Sequence, residues 1–395
     1  MESITHLYNV DHHIYWGILI ATYFYYTGMS AGSFVLSSLG TVFGIEKYKI
    51  VAKTGIIMAI ILLVFAPLHL IADLQQPTRF WHLLVNIHFT SAMSYGVFLL
   101  LLYPINCIIY AWFMFREDLA KYSLEKNNWK AKVYKLISLN DTRLDEKTLK
   151  RDEVWKKRFG VIGVPLALLV HGYTGFILAD VQTRALWHTA LMPWIFLMSA
   201  MVSGTGLFII VLMIVEKFKN GKLVPEIRRL IVDMGQLMKW FIVVDAAMMI
   251  STFIMLWYGN DEAYAAGYFL LRGEEQMGFV GVEIIGGMLI PFILMSIPKI
   301  KDSLLWITIA SLLTMVGVLA MRINFVIGGQ KIPLTGSQLL EYEMEPSQLI
   351  TSIVIAIVTL AVLAFFYYLL PMNHKYSLNR KRKYEVNSKK GETLS

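Results

Sequence analysis

Apolar and polar positions alternate along this chain on the scale of whole helices rather than single residues. Runs of about 20 or more mostly apolar residues are each long enough for one membrane crossing. They recur at approximately 14–44, 51–74, 88–115, 159–180, 190–215, 238–258, 279–297, 303–327 and 348–371, with short polar breaks between them. The pattern predicts an all-α integral membrane protein of about nine transmembrane helices. The one long polar stretch, 116–158, reads as a solvated connector of helix and turn. It divides a first bundle part, 14–115, from a second bundle region, 159–297, which is followed by helices over 303–371 and a basic tail, 372–395.

A phrase recurs on either side of that connector. Ala72-Asp73-Leu74-Gln75, Thr78-Arg79 and Trp81-His82 return as Ala179-Asp180-Val181-Gln182, Thr183-Arg184 and Trp187-His188, with Gln76 and Pro77 extra in the first copy. His69 stands one helical turn before the first copy, and His171 lies within the span that leads to the second. Ionisable residues at the end of a span are costly and usually functional. Two copies of one such constellation suggest a duplicated helical bundle, of the kind membrane redox and transport proteins share. The plainer alternative is a pair of interfacial helix ends with ordinary aromatic anchors.

Composition agrees with the membrane reading. The protein is 56% hydrophobic and only 16% charged, where a soluble protein carries roughly a quarter charged residues. Most of the 36 Lys and Arg residues fall at or near 45–53, 116–158, 216–239, 298–302 and the tail after 371. Arg79, Arg184, Arg272 and Lys331 lie on the other side, and Arg322 lies inside a span. The positive-inside rule then places the N-terminus outside and the C-terminus in the cytoplasm, with the cell inner (cytoplasmic) membrane as the location. The net charge of +8 is a topology signal and calls for no nucleic acid. A single cysteine, Cys107, excludes internal disulfides and a chain-borne iron–sulfur cluster, which would need about four thiolates. Electrons, if they arrive, come from another subunit. No cleavable signal peptide is expected, because the first apolar run is too long and lacks a basic leader.

His6, His12, His13, His69, His82, His88, His171 and His188 all fall on outer segments or in the outer half of a span; only His374 is cytoplasmic. A site exchanging protons with a lipid-soluble substrate needs His and carboxylate groups that titrate within reach of working pH. His69, Asp73, His171 and Tyr173 are expected at one depth, with Tyr or His hydrogen-bonding a quinone carbonyl and Asp relaying the proton. His82, His88 and His188 read instead as caps on helix ends. Asp245, Glu283 and Arg322 are the ionisable residues most clearly inside apolar runs. Asp245 is expected about two turns in from the cytoplasmic end of its span, as an early proton relay, and Glu283 and Arg322 are expected to pair near the outer ends of theirs. Asp180 joins them as a proton-transfer candidate. Haem is the competing use of membrane histidines. His69 with His171 could form one bis-His pair, but no inner-side histidine exists for a second, so no bound haem is expected.

These residues match a family. His69, Asp73-Leu74, Pro77 and Arg79-Phe80-Trp81 resemble the Asp-Leu-Gly-Arg-Pro-x-Arg-Phe-Trp phrase of the NrfD/polysulfide-reductase membrane subunits. Gly28 with Ala31-Gly32 is similar to the small-residue phrase of their first helix, and Tyr173-Thr174-Gly175 to a Tyr-Thr-Gly further on. Glu283 within Gly281–Gly286, then Arg322, Asn324 and Gly328-Gly329-Gln330, complete the match from about 15 to 335. Gln75-Gln76 departs from the usual Gly-Arg and removes one basic residue from that loop. Length and the extra C-terminal helix are similar to the longer branch, which includes membrane subunits of hydrogenase-2-type complexes.

The resemblance implies two tandem four-helix bundles plus a C-terminal helix, and no resident cofactor. It implies a menaquinone or ubiquinone site near the outer face on Asp73, His171 and Tyr173, with His13 a looser candidate. The partners it implies are a periplasmic iron–sulfur (ferredoxin-like) subunit and a catalytic subunit: a molybdopterin enzyme, a hydrogenase or a multihaem cytochrome. Membrane lipid surrounds the whole. Two other readings stay open. A proton-coupled secondary transporter would want broken helices meeting at mid-membrane, whereas here the ionisable residues are expected to crowd one face. A passive membrane anchor would leave the Asp and His cluster unexplained.

Overall fold

The computed structural model describes residues 14–74, 76–88, 91–221, 223–332 and 340–371. His13 and the basic tail therefore lie outside the described residues. Every regular element among those described is helical. The long helices are α1 (Ile18–Thr41), α2 (Ala52–Asp73), α3 (Ala92–Glu125), α4 (Glu146–Ala179), α5 (Met192–Asn220), α6 (Pro225–Trp257), α7 (Met277–Ser296), α8 (Leu304–Lys331) and α9 (Pro346–Leu369).

Eight of these, α2 to α9, are long and apolar enough to cross a membrane. The exception, α1, carries many Tyr, Ser, Thr and Gly residues, and the structure supplies the reason. Nearly every residue from Ile18 to Gly40 is buried, because α1 packs against α2, α4, α5, α8 and α9. Its surroundings are protein, so its polar groups find partners there. The Ser30 hydroxyl donates to the Ala59 carbonyl at 2.7 Å and Ser37 donates to Ala52 at 2.6 Å, tying α1 to α2. Thr22, Thr27 and Ser33 return their hydroxyls to carbonyls of the preceding turn.

Helices α1 to α4 pack as neighbours, α5 to α8 do likewise, and the two groups meet where α1 and α4 lie on α5. At that seam the backbones of α1 and α5 nearly touch. A Cβ on Gly32 would stand 2.5 Å from the Ala200 carbonyl oxygen and 3.0 Å from Gly204 Cα. Gly287 of α7 and Gly317 of α8 make a similar approach. Small residues at crossings are how membrane helices gain van der Waals contact without a solvent-driven force. Helix α9 packs on α2 and α1.

Contacts define two ends of the bundle. At one, Lys47 pairs with Asp233, Lys53 with Asp118, and Lys130 Nζ donates to the Tyr368 carbonyl at 3.3 Å. At the other, Arg184, Glu275, Gln330 and Tyr342 gather with the start of α1. We call these the basic and the acidic end.

Several helices run past their apolar stretches. Much of the polar stretch 116–158 is the continuation of α3 and α4, joined through a short helix, Trp129–Ile137. Asn128 caps that helix by accepting from the Ala131 amide, and Asp145 caps α4 by accepting from Thr148. The fully buried Arg116 draws the turn inward, pairing with Asp152 and donating to the Arg143 carbonyl at 3.0 Å. Hydrogen bonds from Arg143 hold the Asp141 carboxyl well below the usual carboxylate range. The stability this lends is present above the ordinary carboxylate pKa and is lost only in strong acid.

Helix α6 starts at Pro225, ahead of its apolar stretch, so Asp245 lies 20 residues into the helix and roughly 18 Å along it from Asp233 at the basic end, at 1.5 Å per residue. The amphipathic stretch before residue 238 reads as a loop in hydropathy but folds as helix. Pro193 stands in the first turn of α5, where no amide is missed.

Gly204→Leu should force α1 from α5 and cost about 1–3 kcal/mol or more by overpacking. Thermal unfolding in detergent, with Gly235→Ala as a roomier control at 3.3 Å from Ile307, reads it directly.

Candidate functional site

Asp245, Glu283 and Arg322 are buried in the α5–α8 half, where His171 of α4 meets Arg322. His171 of α4 is fully buried and reaches the seam because Gly28 of α1 leaves space; a Cβ there would stand 2.8 Å from His171 Cε1. Arg322 of α8 is also fully buried. Its Nη2 donates to Ser199 Oγ at 2.6 Å and lies 3.2 Å from the Phe196 carbonyl oxygen and 3.1 Å from His171 Nε2. The guanidinium also sits over the Phe196 ring, 3.8 Å from its centroid. A desolvated cation–π contact of this kind contributes about 2 kcal/mol.

His171 Nε2 has two competing partners. It can donate to the Phe196 carbonyl at 2.8 Å or accept from Arg322 at 3.1 Å, but one nitrogen cannot do both at once. In the second arrangement the ring proton sits on Nδ1, 3.4 Å from Thr174 Oγ1, which itself donates to the His171 carbonyl.

Next to this cluster lie two carboxylates. Glu283 Oε2 accepts from Asn324 Nδ2 at 2.6 Å. Among the described residues, Glu283 Oε1, Asp245 Oδ1 and Arg322 Nε and Nη1 have no hydrogen-bond partner. Asp245 and Glu283 line one small cavity with Gly287, Gly317 and Met321, with about 10 Å³ for water centres, room for roughly one molecule. The expected Glu283–Arg322 pair is therefore corrected. Glu283 bonds to Asn324 while Arg322 turns to His171, Ser199 and Phe196, and the two interact only through space.

Both partners of the Glu283–Asn324 bond sit in π-helical segments, Met277–Leu289 and Asn324–Gly328. Single-turn π segments occur often at functional sites, and here one is much longer than the usual bulge. Glu283, Asp245 and Arg322 lie in the bundle interior rather than crowding one end.

The other expected residues are spread around α1. His69 is fully buried; its Nδ1 lies 3.2 Å from the Phe65 carbonyl oxygen, and its ring packs on Tyr26 with centroids 4.8 Å apart. Its Nε2 has no partner among the described residues. His171 Nε2 lies between Phe196 and Arg322 while the His69 ring packs on Tyr26, so the two imidazoles have separate surroundings. Tyr173 lies against the backbone of Gly96 on α3, with no room left for a Cβ. Asp73 ends α2, half-buried, near Tyr342. Burial pushes the Tyr342 phenol up, and the Asp73 charge adds in the same direction; its oxygen accepts from the Ile18 amide at 3.2 Å. Asp180 is exposed past the end of α4 and stands apart from the cluster. His188 Nδ1 lies 3.0 Å from the Ala179 carbonyl oxygen, as a helix-end cap would.

The two copies of the repeated phrase have different environments. In the second, Arg184 Nη1 donates to the carbonyls of Gln330 at 3.0 Å and Ile332 at 2.5 Å, closing the end of α8. Trp187 Nε1 donates to the Phe325 carbonyl at 2.5 Å, and its ring stacks on Trp16. Gln330 Oε1 accepts from the Tyr15 and Trp16 amides, and Lys331 pairs with Glu275 at 2.5 Å. In the first copy Phe80, Trp81 and Leu83 are exposed, as is Arg79.

The family model described as polysulphide reductase, NrfD, matches residues 6–333. The chain belongs to this family. It is an NrfD-family multi-pass membrane protein. It is similar to a selenate reductase subunit of Mesobacillus selenatarsenatis, at 28% identity over 89% of this chain and 84% of the relative. It is also similar to the Hdr-like menaquinol oxidoreductase integral membrane subunit of Archaeoglobus fulgidus, at 27% over 83% and 74%. A polysulfide reductase component of Wolinella succinogenes matches at 25% over 80% and 95%.

Sequence reasoning missed Ser199 and Phe196 in this NrfD-family protein. Phe196 contributes a carbonyl and a ring face, for which no sequence signal exists. Ser199 precedes Ser203 by four residues on α5, a face pattern that could have marked it.

Arg184→Ala should cost roughly 1–3 kcal/mol by leaving carbonyls of α8 unmet, while Arg79→Ala should change stability by less than about 0.5 kcal/mol. Paired thermal unfolding curves check the contrast.

Proposed function

We propose that this protein is the quinone-reactive membrane subunit of a respiratory oxidoreductase complex. The names of its relatives, a menaquinol oxidoreductase subunit and components of two reductases among them, support that reading. In it the helices form two tandem four-helix bundles plus α9, the acidic end faces the periplasm, and the inner membrane is the location. The quinone is a substrate. Electrons pass between it and an iron–sulfur partner that serves a catalytic subunit of molybdopterin, hydrogenase or multihaem type.

Reducing a quinone takes two electrons and two protons, and oxidising the quinol returns them. The electrons belong to the partner; the residues of this protein handle the protons. Asp73, Tyr173, His69 and His171 serve the substrate toward the acidic end. The observation that carries the proton role is His171 Nε2 set between the Phe196 carbonyl and Arg322 Nη2. Moving the ring proton from Nε2 to Nδ1 exchanges one partner for the other, so the ring can pass a proton without leaving its place. Asp245 and Glu283 share a cavity that accommodates one water, and supply the next acceptors. Asn324 holds Glu283 in position.

A quinol-analogue inhibitor titrated by fluorescence against the purified protein should quench saturably, and more weakly with Asp73→Asn and His171→Ala. Unaltered quenching in both variants would move the substrate elsewhere. In the intact complex, Glu283→Gln should slow quinone-linked turnover about 100-fold, the low end for removing a proton-transfer group, while leaving inhibitor binding unchanged. Loss of both together would make Glu283 a binding or structural residue instead.

A further inference from the structure

Toward the basic end, beyond the Gly32–Gly204 contact, α1 and α6 stand apart with α5 behind them. Between them lies an open crevice of about 510 Å³, within the range of small-molecule sites. Val35 and Leu39 of α1, Met201 of α5 and Trp240 and Phe241 of α6 wall it. Trp240 is largely exposed, so the crevice opens on the surface a membrane would cover. At its polar mouth Lys47 and Asp233 form an ion pair at 2.7 Å that bridges α6 and the short helix Glu46–Lys49 after α1. Each is about half exposed, at 50% and 47%, so the pair is weak and can exchange partners.

An apolar slot of this size, ending in one cation beside one anion, matches a particular chemistry. A zwitterionic head would set its phosphate on Lys47 and its ammonium on Asp233, while an acyl tail lies along Leu39 and Trp240. We propose that the crevice between α1 and α6 binds a phosphatidylethanolamine molecule, held by Lys47 and Asp233 at its head and by the apolar walls along one acyl tail. A quinone head carries no charge and would leave both ions unused. A diacylglycerol would use only the walls. The inference stands apart from the quinone reading, whose residues lie elsewhere.

Native mass spectrometry of the delipidated full-length protein tests it, after incubation with phosphatidylethanolamine, phosphatidylglycerol or diacylglycerol. Wild type should retain phosphatidylethanolamine in preference to the other two. Lys47→Gln should lower retention of both phospholipids about fivefold, the scale of one lysine contact near a lipid surface. Asp233→Asn should weaken phosphatidylethanolamine and spare phosphatidylglycerol. Leu39→Trp fills the slot and should abolish retention; Val35→Phe serves the same end if that variant fails to accumulate. Glycerophosphoethanolamine, a head without acyl tails, should not compete. Equal retention by wild type, Lys47→Gln and a slot-filling variant would overturn the assignment. So would diacylglycerol retained as well as phosphatidylethanolamine, or displacement by the soluble head alone.

Discussion

The approach of α1 to α5 at Gly32 and Gly204 sets the distances on which the rest of the molecule depends. With the two backbones in contact, Gly28 on the next turn of α1 leaves the depth that His171 fills. Phe196, about two turns before Gly204 on α5, then comes within reach of His171. A larger residue at the crossing would widen the gap between the two helix groups. The contacts His171 makes across it, 2.8 Å to the Phe196 carbonyl oxygen and 3.1 Å to Arg322 Nη2, have no slack to lose. Close packing of small residues here positions chemistry as well as binding helices together.

Burying a guanidinium and two carboxylic groups this deep is costly unless each is met by partners. The structure meets them only in part. Arg322 offers one nitrogen to three acceptors and lays its plane on Phe196. Two of its nitrogens and one oxygen on each acid lack a partner among the described residues. In a purely structural network such groups would be expected to pair more fully. Under the proposed function, the unmet carboxyl oxygens would bond the water that their shared cavity accommodates and pass a proton through it.

Much of the architecture was legible because a membrane permits so few solutions. Apolar runs announced the helices, and the polar breaks announced the turns. Helix ends were not legible where α3, α4 and α6 continue as amphipathic segments beyond the apolar run. The polar character of α1 signals burial among other helices, a distinction that hydropathy alone cannot make. His171 and Arg322 were each marked by charge within an apolar run, but 151 residues separate them and no periodicity links them. The π-helical segments around Glu283 and Asn324 were invisible, since one inserted residue per turn leaves no trace in a short apolar stretch. The family resemblance, by contrast, rested on short phrases, and the comparison with known proteins bears it out.

The duplicated phrase has taken two courses within one molecule. Its second copy turns inward: Arg184 and Trp187 are mortar between α8 and the start of α1. Its first copy keeps Arg79, Phe80 and Trp81 turned outward. Changes in the second copy are judged by the folding of this protein itself, and changes in the first by whatever lies beyond it. The outward loop is thus free to track a changing neighbour, while its twin holds the fold constant behind it.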